Sequence, residues 1–165
     1  MPEEGRPRQP TGLRRLLLRA PVLLFRARTG WLFVGRLVLV EHVGRRTGAR
    51  RAVVLEVVDR DRTSGAVTVA SGFGRRADWY RNLRVHPEAT MRAGLRSVPV
   101  TARPVDEDHA VEIMIAYGRR YPRTARRVAR FMGLTVDGSA EGYAAVGRAV
   151  PFLTLVPRAA PPSTR

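Results

Sequence analysis

Residues 37–58 read LVLVEHVGRRTGARRAVVLEVV. Two apolar runs, Leu37–Val43 and Ala52–Val58, flank a short segment rich in glycine and arginine, Gly44–Arg51. Valine and leucine runs of this length favour strands, and a Gly-containing segment between them reverses the chain. The stretch therefore predicts an antiparallel hairpin with a strongly positive tip.

Strand and turn signals recur after this hairpin, and helical signals gather late in the chain. Strands joined by short turns, with late helices, are typical of α+β proteins with an antiparallel sheet or barrel. The predicted strands are Ala66–Ala70, Ala89–Ala93, Ser97–Val105 and Phe152–Val156, and the predicted helices are residues 77–86, a segment from Asp106 that ends at Gly118, and Arg123–Met132.

The length of 165 residues suits a single domain, and a hydrophobic content of 44% is enough for a core. We expect residues 36–157 to form that core and the Pro- and Arg-rich ends, 1–11 and 159–165, to be disordered. Cysteine is absent, which excludes disulfides, thiolate metal ligands and cysteine nucleophiles. The three histidines are far apart, so no metal site is expected.

The net charge is +16, and all 30 basic residues are arginine. An excess of this size over 14 acidic residues favours an anionic partner, such as phosphate, carboxylate, nucleic acid or a membrane surface. Aromatic residues make up only 7% and do not alternate with a basic stripe. Since binding of single strands depends on such aromatics, we expect no nucleic-acid partner.

Residues 13–40 mix leucine and valine with arginine, so no apolar run reaches the roughly 20 residues of a membrane span. Glu3 and Glu4 before it, and Arg19 within it, argue against a signal peptide, and we expect a cytoplasmic location. Leu13–Phe25 has helical apolar spacing and predicts a basic amphipathic helix. This helix either covers one end of a barrel or lies on the inner face of a membrane.

Four arginines, Arg45, Arg46, Arg50 and Arg51, surround Thr47-Gly48 at the hairpin tip. Guanidinium groups bind phosphate and carboxylate oxygens in pairs, and a hydroxyl with turn amides can complete a phosphate cradle. A basic tip is ordinarily a solvated turn. Arg51 differs because it adjoins a strand of buried residues.

A second set of chemical signals lies in AVTVASGFGRRADWYRNLRVHP, residues 66–87. Gly72-Phe-Gly74 has the form of a dinucleotide-binding turn, but it follows the third strand and the next helix is too short for a crossover. A Rossmann domain is therefore disfavoured. The small residues still allow an anion to approach backbone N–H groups, and Ser71 adds a hydroxyl donor.

The helix that follows carries Trp79, Tyr80 and Asn82. Spacing alone is compatible with two interpretations. In one, Trp79 and Leu83 anchor the core and Asn82 lies at the surface; in the other, the aromatic and amide side chains face a ligand.

The order of GRRTGARR at 44–51, an apolar strand, and VASGFGRRADWYRNLRVHPEATMRAG at 69–94 resembles the deazaflavin-dependent nitroreductase family. The resemblance covers about residues 30–157. It implies an α+β fold, an antiparallel split β-barrel of the flavin-reductase or FMN-binding type with an N-terminal helix and surrounding short helices. It also implies that reduced 8-hydroxy-5-deazaflavin (coenzyme F-420) passes a hydride to an electron-poor hydrophobic acceptor, such as a quinone, nitro compound or enone.

The same resemblance implies three groups of coenzyme contacts. The arginines of the first group would hold the phosphodiester and the oligoglutamate tail. The groups are Arg45, Arg46, Thr47 and Arg51 at the tip; Ala70, Ser71 and Gly72 after the third strand; and Asp78, Trp79, Tyr80 and Asn82 on the short helix.

Two departures from the family pattern affect the predicted chemistry. Gly72 stands where well-studied members carry lysine, so Arg75 or Arg76 would supply one contact to the phosphate or tail. Of the family's tyrosine cluster only Tyr121 remains, with Thr124 and Arg127 at positions where further tyrosines are expected. Tyr121 is thus either a proton donor or a structural residue, and a quinone or similar acceptor is favoured over a nitroimidazole.

Several alternatives stay open at this level. FMN is an alternative cofactor because split barrels host both, and a non-catalytic barrel that carries a lipid or cofactor is an alternative function. A homodimer is compatible with the fold. The third predicted helix has a stripe of arginines along one face: Arg123, Arg126, Arg127 and Arg130. This stripe is either a solvated face, a site for anionic lipid headgroups or the edge of a substrate entrance.

Overall fold

The computed structural model describes residues 36–94 and 96–158. The predicted helix at Leu13–Phe25 and the predicted disordered ends lie outside these residues. Six strands and four helices occur in the described ranges. No helix there is both long enough and apolar enough to cross a membrane.

The strands form a closed antiparallel barrel, and the predicted split-barrel class is confirmed. All six predicted strands are present, with ends that move by no more than two residues. They are β1 (Leu37–Val43), β2 (Arg50–Arg60), β3 (Val67–Ala70), β4 (Glu88–Ala93), β5 (Arg96–Pro104) and β6 (Phe152–Pro157). Their order around the barrel is β1-β2-β3-β6-β5-β4, and pairing of β1 with β4 closes it.

Two hydrophobic clusters, one inside the barrel and one beneath the helices, form the core. In β6, Leu153 and Leu155 face the barrel interior, whereas Phe152 faces the helices, because successive side chains of a strand point to opposite faces. The same alternation in β2 places Val57 inside the barrel and Val58 under the helices, and a register shift follows between Val57 and Asp59 where β2 pairs with β3. Burial of each such side chain contributes about 1.5–3 kcal/mol.

The helices are α1 (Asp78–Val85), α2 (Glu107–Arg120), α3 (Pro122–Phe131) and α4 (Ala140–Ala149). The predicted start of α2 is confirmed: the Asp106 carboxylate caps it by accepting from the His109 N–H at 2.9 Å. Helix α4 was not predicted from the sequence. It begins where the Ser139 hydroxyl oxygen accepts from the Gly142 N–H at 3.0 Å.

The predicted end of α2 at Gly118 is wrong. The helix continues to Arg120, and Gly118 is buried inside it. A Cβ at this position would lie 2.3 Å from the Tyr143 ring, and one at Gly147 would lie 2.7 Å from the Val111 Cα. These glycines therefore permit the close approach of α2 and α4, and neither of them ends a helix.

Candidate functional site

The hairpin tip is a tight, hydrogen-bonded turn. Strands β1 and β2 pair as far as Val43 and Arg50, after which the Gly44 N–H donates to the Ala49 carbonyl at 2.9 Å. The Gly48 N–H donates to the Gly44 carbonyl at 2.9 Å, and Gly48 has a φ of 65°, a left-handed conformation that favours glycine. The turn exposes the side chains of Arg46, Thr47, Arg50 and Arg51.

Arg45 joins this tip to α1. Its backbone N–H donates to Asn82 Oδ1 at 3.1 Å, and its Nη1 donates to the same oxygen at 2.9 Å. The Nη1 also pairs with the Asp78 carboxylate at 3.1 Å. The Arg45 side chain is only 15% exposed, whereas that of Asp78 is 59% exposed. Two segments distant in sequence, each predicted to contact the coenzyme, are therefore adjacent.

Asn82 and His42 form the buried floor beneath this contact. The interpretation of Asn82 as a surface residue is wrong, since both residues are 5% exposed and Asn82 Nδ2 lies 3.5 Å from His42 Nδ1. Burial lowers the pKa of His42, and the nearby Arg51 guanidinium lowers it further, against a hydrogen bond with the Val43 backbone that raises it. His42 was not singled out from the sequence, where a lone histidine in a strand carries no distinctive signal.

The corner between β3 and α1 is held by its own hydrogen bonds. The Ser71 N–H donates to the Pro151 carbonyl at 2.9 Å, and the Gly74 N–H donates to the Ser71 carbonyl at 2.8 Å. The fully buried Ser71 hydroxyl donates to the Gly74 carbonyl at 2.8 Å. That hydroxyl is engaged within the corner, so a contact from it to the coenzyme stays a prediction.

Gly72 is the residue of the corner whose backbone N–H is free to bind a ligand. Its N–H makes no hydrogen bond within residues 36–94 and 96–158. A Cβ at this position would lie 3.0 Å from Met132 Cγ, just after α3. A larger residue here would therefore displace Met132. Arg75 and Arg76, the alternative contacts predicted from the sequence, follow on an exposed turn.

The aromatic residues of α1 pack on the barrel. Tyr80 is buried in the barrel cluster and makes an edge-to-face contact with Trp79, with ring centroids 6.0 Å apart. Trp79 is half-buried against the same cluster, and Leu83 is fully inside it. Trp79 and Leu83 are core anchors, as one interpretation predicted. Ala70 is half-buried and packs beneath the helices.

Tyr121 lies between α2 and α3, in the helical layer. Its ring is flanked by the Arg36 guanidinium at 4.7 Å and the Arg120 guanidinium at 5.4 Å, a cation–π arrangement. The Tyr117 ring is 5.6 Å away. Tyr121 is half-buried, and its hydroxyl has no hydrogen bond in the part of the chain that the structure describes. Both of its predicted roles therefore stay predictions.

A polar cluster beside Tyr121 was not predicted from the sequence. The Tyr117 hydroxyl donates to Glu56 Oε1 at 2.5 Å, and Arg36 Nη2 donates to the same oxygen at 2.8 Å. Burial raises the pKa of Tyr117 far above its ordinary range, and the bond to Glu56 raises it further. The one available signal was Glu56, an acidic residue inside an apolar strand, whose partner a local pattern does not identify.

The predicted site residues thus fall into two groups. Arg45, Asn82 and Asp78 are in direct contact, with the exposed tip on one side and the Ser71–Gly72 corner a few residues before α1. Tyr121 is separate, and its link to the corner runs through the helical layer. That layer also holds Met132, which faces Gly72.

Comparison with known proteins gives one family match. A model of the F-420H(2)-dependent quinone reductase family matches residues 21–137. No curated protein matches the chain.

Several solved structures share the fold. A reductase dependent on reduced F-420 (FDR-A) is 19% identical, with a TM-score of 0.51, over 73% of this chain and 94% of that one. A structure described as a domain-swapped dimer is 18% identical, with a TM-score of 0.51, over 82% and 98%. A pyridoxamine 5'-phosphate oxidase-related, FMN-binding protein from Nostoc punctiforme is 13% identical, with a TM-score of 0.52, over 84% and 79%.

Proposed function

The chain belongs to the F-420H(2)-dependent quinone reductase family, and from this premise we propose that it binds reduced coenzyme F-420 between the hairpin tip and the β3–α1 corner and reduces an electron-poor hydrophobic acceptor. The resemblance to F-420-dependent reductases noted from the sequence is confirmed. A quinone is the acceptor class that the family favours; nitro compounds and enones are further candidates. When bound, the coenzyme supplies the hydride, and the protein supplies binding, orientation and electrostatics.

The observation that carries this proposal is the set of hydrogen bonds from Arg45 to Asn82 and Asp78. They hold the cationic tip beside the helix that follows the corner. Arg45 is mostly buried and already partnered, so we assign it a positioning role. The direct contacts to the coenzyme then come from the neighbouring exposed groups.

The exposed donors of the tip suit a phosphodiester and a carboxylate tail. Arg46, Arg50 and Arg51 have no carboxylate partner among the described residues, so their guanidinium groups are available to an anion. The Thr47 hydroxyl oxygen accepts from the Ala49 N–H at 3.3 Å, and its own hydrogen can still be donated. We propose that Arg46, Thr47 and Arg51 bind the charged part of the coenzyme.

We propose that the β3–α1 corner lies beside the part of the coenzyme that reacts. The unpartnered Gly72 N–H can donate to an oxygen that gains negative charge. Half-buried Trp79 provides an apolar wall that excludes water. Tyr121 lies apart from this corner, in the helical layer, and its role as a proton donor stays a prediction. The rate of quinone reduction by Tyr121→Phe tests it.

Titration of the protein with coenzyme F-420 tests the proposed site. Arg51→Gln removes one charged contact from the tip, and we expect the Kd to rise about tenfold. Arg60→Gln is the matched control, because Arg60 is an exposed arginine at the other end of β2. Equal effects of the two substitutions would contradict the tip as the binding site.

Two further measurements separate the alternatives. Oxidation of the reduced coenzyme with a soluble quinone, followed by absorbance, distinguishes an enzyme from a non-catalytic carrier. The absorbance spectrum of the purified protein distinguishes deazaflavin from FMN.

We also propose a homodimer, since one structure of similar fold is a domain-swapped dimer. Light scattering measures the mass of the particle in solution and tests this directly.

A further inference from the structure

Helix α3 presents a face of unpaired positive charge. PRTARRVARF, its full sequence, contains no acidic residue. Within the described residues its exposed arginines form no ion pair, and the Arg126 guanidinium donates to the Asp137 carbonyl at 3.2 Å. Hydrogen bonds from Ser139 lower the pKa of the Asp137 carboxyl, and the Arg126 charge adds a smaller effect in the same direction. The four arginines line an open cavity of about 620 Å³, and they are Arg123, Arg126, Arg127 and Arg130.

The other side of α3 fixes this face in place. Ala125 and Ala129 are fully buried in the helical cluster, where their small side chains let the helix pack closely. The guanidinium groups therefore project from a rigid element. A helix of this length spans about 15 Å, so the four charges are concentrated in a small area.

The basic face adjoins the proposed site. Met132 follows α3 directly and packs on Gly72 of the corner, and Tyr121 immediately precedes the first residue of the same helix. A surface that contacts the arginines would thus lie beside the corner where the acceptor is expected to react.

We propose that the α3 face docks on a membrane that contains anionic phospholipids. A dense layer of lipid phosphates complements four clustered guanidinium groups, none of which has a carboxylate within ion-pair distance among the described residues. Among the residues whose side chains the structure describes, those that line the cavity are all arginine, and this lining offers no ring on which the bases of a single-stranded nucleic acid could stack. The reason for such docking rests on the proposed function, since hydrophobic quinones dissolve in bilayers.

Vesicle co-sedimentation of the full chain tests the proposal without the coenzyme. We expect binding to vesicles of phosphatidylcholine with phosphatidylglycerol, and none to phosphatidylcholine alone, at about 0.1 M salt. Replacement of all four α3 arginines by glutamine should weaken binding to the anionic vesicles by at least about tenfold, since each basic residue near a charged bilayer contributes to affinity.

A matched control separates the α3 face from the net charge. Glutamine at four exposed arginines elsewhere, none of which forms a described ion pair, removes the same charge; these are Arg60, Arg62, Arg96 and Arg103. The control should keep at least about a third of the wild-type affinity. Equal losses in the two variants, or equal binding to neutral vesicles, would overturn the proposal. Absence of binding to the anionic vesicles would also overturn it. If the wild-type chain, but not the α3 variant, then bound a nucleic acid, the partner of the α3 face would be that nucleic acid.

Failure of the docking and failure of the activity give different results. The α3 variant should oxidise the reduced coenzyme with a short-chain, water-soluble quinone at the wild-type rate, and circular dichroism checks its fold. Loss of that soluble activity would assign the arginines to the site itself and overturn membrane docking. Vesicle binding without any quinone reduction would sustain the docking and refute the proposed function.

Discussion

At the scale of single residues, Asn82 links stability to the site. It is buried and accepts two hydrogen bonds from Arg45. We expect Asn82→Ala to lower the free energy of unfolding by about 1–3 kcal/mol, because the Arg45 N–H would lose its partner in a partly buried place. The Kd for the coenzyme should rise as the tip loosens. Urea unfolding and coenzyme titration measure the two effects.

Asp78→Ala is the control for this prediction. Asp78 contacts the same guanidinium but is well exposed, and exposed ion pairs contribute only about 0.2–1 kcal/mol. A loss of stability in Asp78→Ala as large as that in Asn82→Ala would show that the buried amide is not what holds the tip.

His42 gives the molecule a specific dependence on pH. Its pKa in the folded protein is lowered from 6.5, mainly by burial. Below pH 6.5 the unfolded chain therefore binds more protons at this residue than the folded chain, and the free energy of unfolding falls as the pH decreases. Above this value the contribution of His42 is constant. We expect His42→Gln to reduce the loss of stability between neutral pH and about pH 5.

Urea unfolding at several pH values measures this difference. His86→Gln is the control, since His86 is exposed after α1, and it should keep the wild-type profile. A His42→Gln profile identical to that of the wild type would exclude His42 as the source.

At the scale of elements, contact between α2 and α4 depends on Gly118. Alanine normally stabilises a helix by about 1 kcal/mol relative to glycine. Here its Cβ would lie 2.3 Å from the Tyr143 ring, so we expect Gly118→Ala to lower the free energy of unfolding by about 1–3 kcal/mol instead. Urea unfolding gives the sign directly.

A double-mutant cycle identifies the cause. If the ring is the obstacle, Gly118→Ala should cost less in a Tyr143→Ala background, with a coupling of about 0.5–3 kcal/mol. Additive effects would mean that the two helices do not meet at these residues.

Local sequence patterns predicted elements well and their contacts poorly. Strand β1 has the predicted ends because its valines and leucines are bounded by a turn at Gly44. Helix α4 was missed because Gly142 and Gly147 lower its intrinsic helix propensity, and its cap at Ser139 was the clearest signal. Gly118 was interpreted as a terminator because the Tyr143 ring that requires it lies on another helix.

The candidate site shows the same division. The arginine-rich tip and the small-residue corner are visible in the sequence, but their proximity came only from the family resemblance. Arg45 and Asn82 are far apart in the chain, and no local rule pairs them. The cluster around Glu56 was missed for the same reason, since its partners come from distant segments.

At the scale of the whole molecule, the net charge of +16 acts on stability and on binding in opposite directions. Like charges repel one another in the compact state, which opposes folding, and the same charges attract anions. The Debye length is about 30 Å at 0.01 M salt and about 10 Å at 0.1 M. A chain of this size has a radius of gyration of about 15 Å, so at low salt every charge acts on the entire molecule.

We therefore expect the Tm to rise when sodium chloride is increased from about 0.01 M to 0.1 M, while the affinity for the coenzyme falls. Differential scanning calorimetry and coenzyme titration over the same salt series measure both. The two four-glutamine variants, one on α3 and one elsewhere, each remove four of the +16 charges, so both should show a weaker salt dependence of the Tm. Only the α3 variant should lose binding to anionic vesicles. A Tm that falls with salt, or differs in slope between the two variants, would mean that local ion pairs outweigh the overall repulsion.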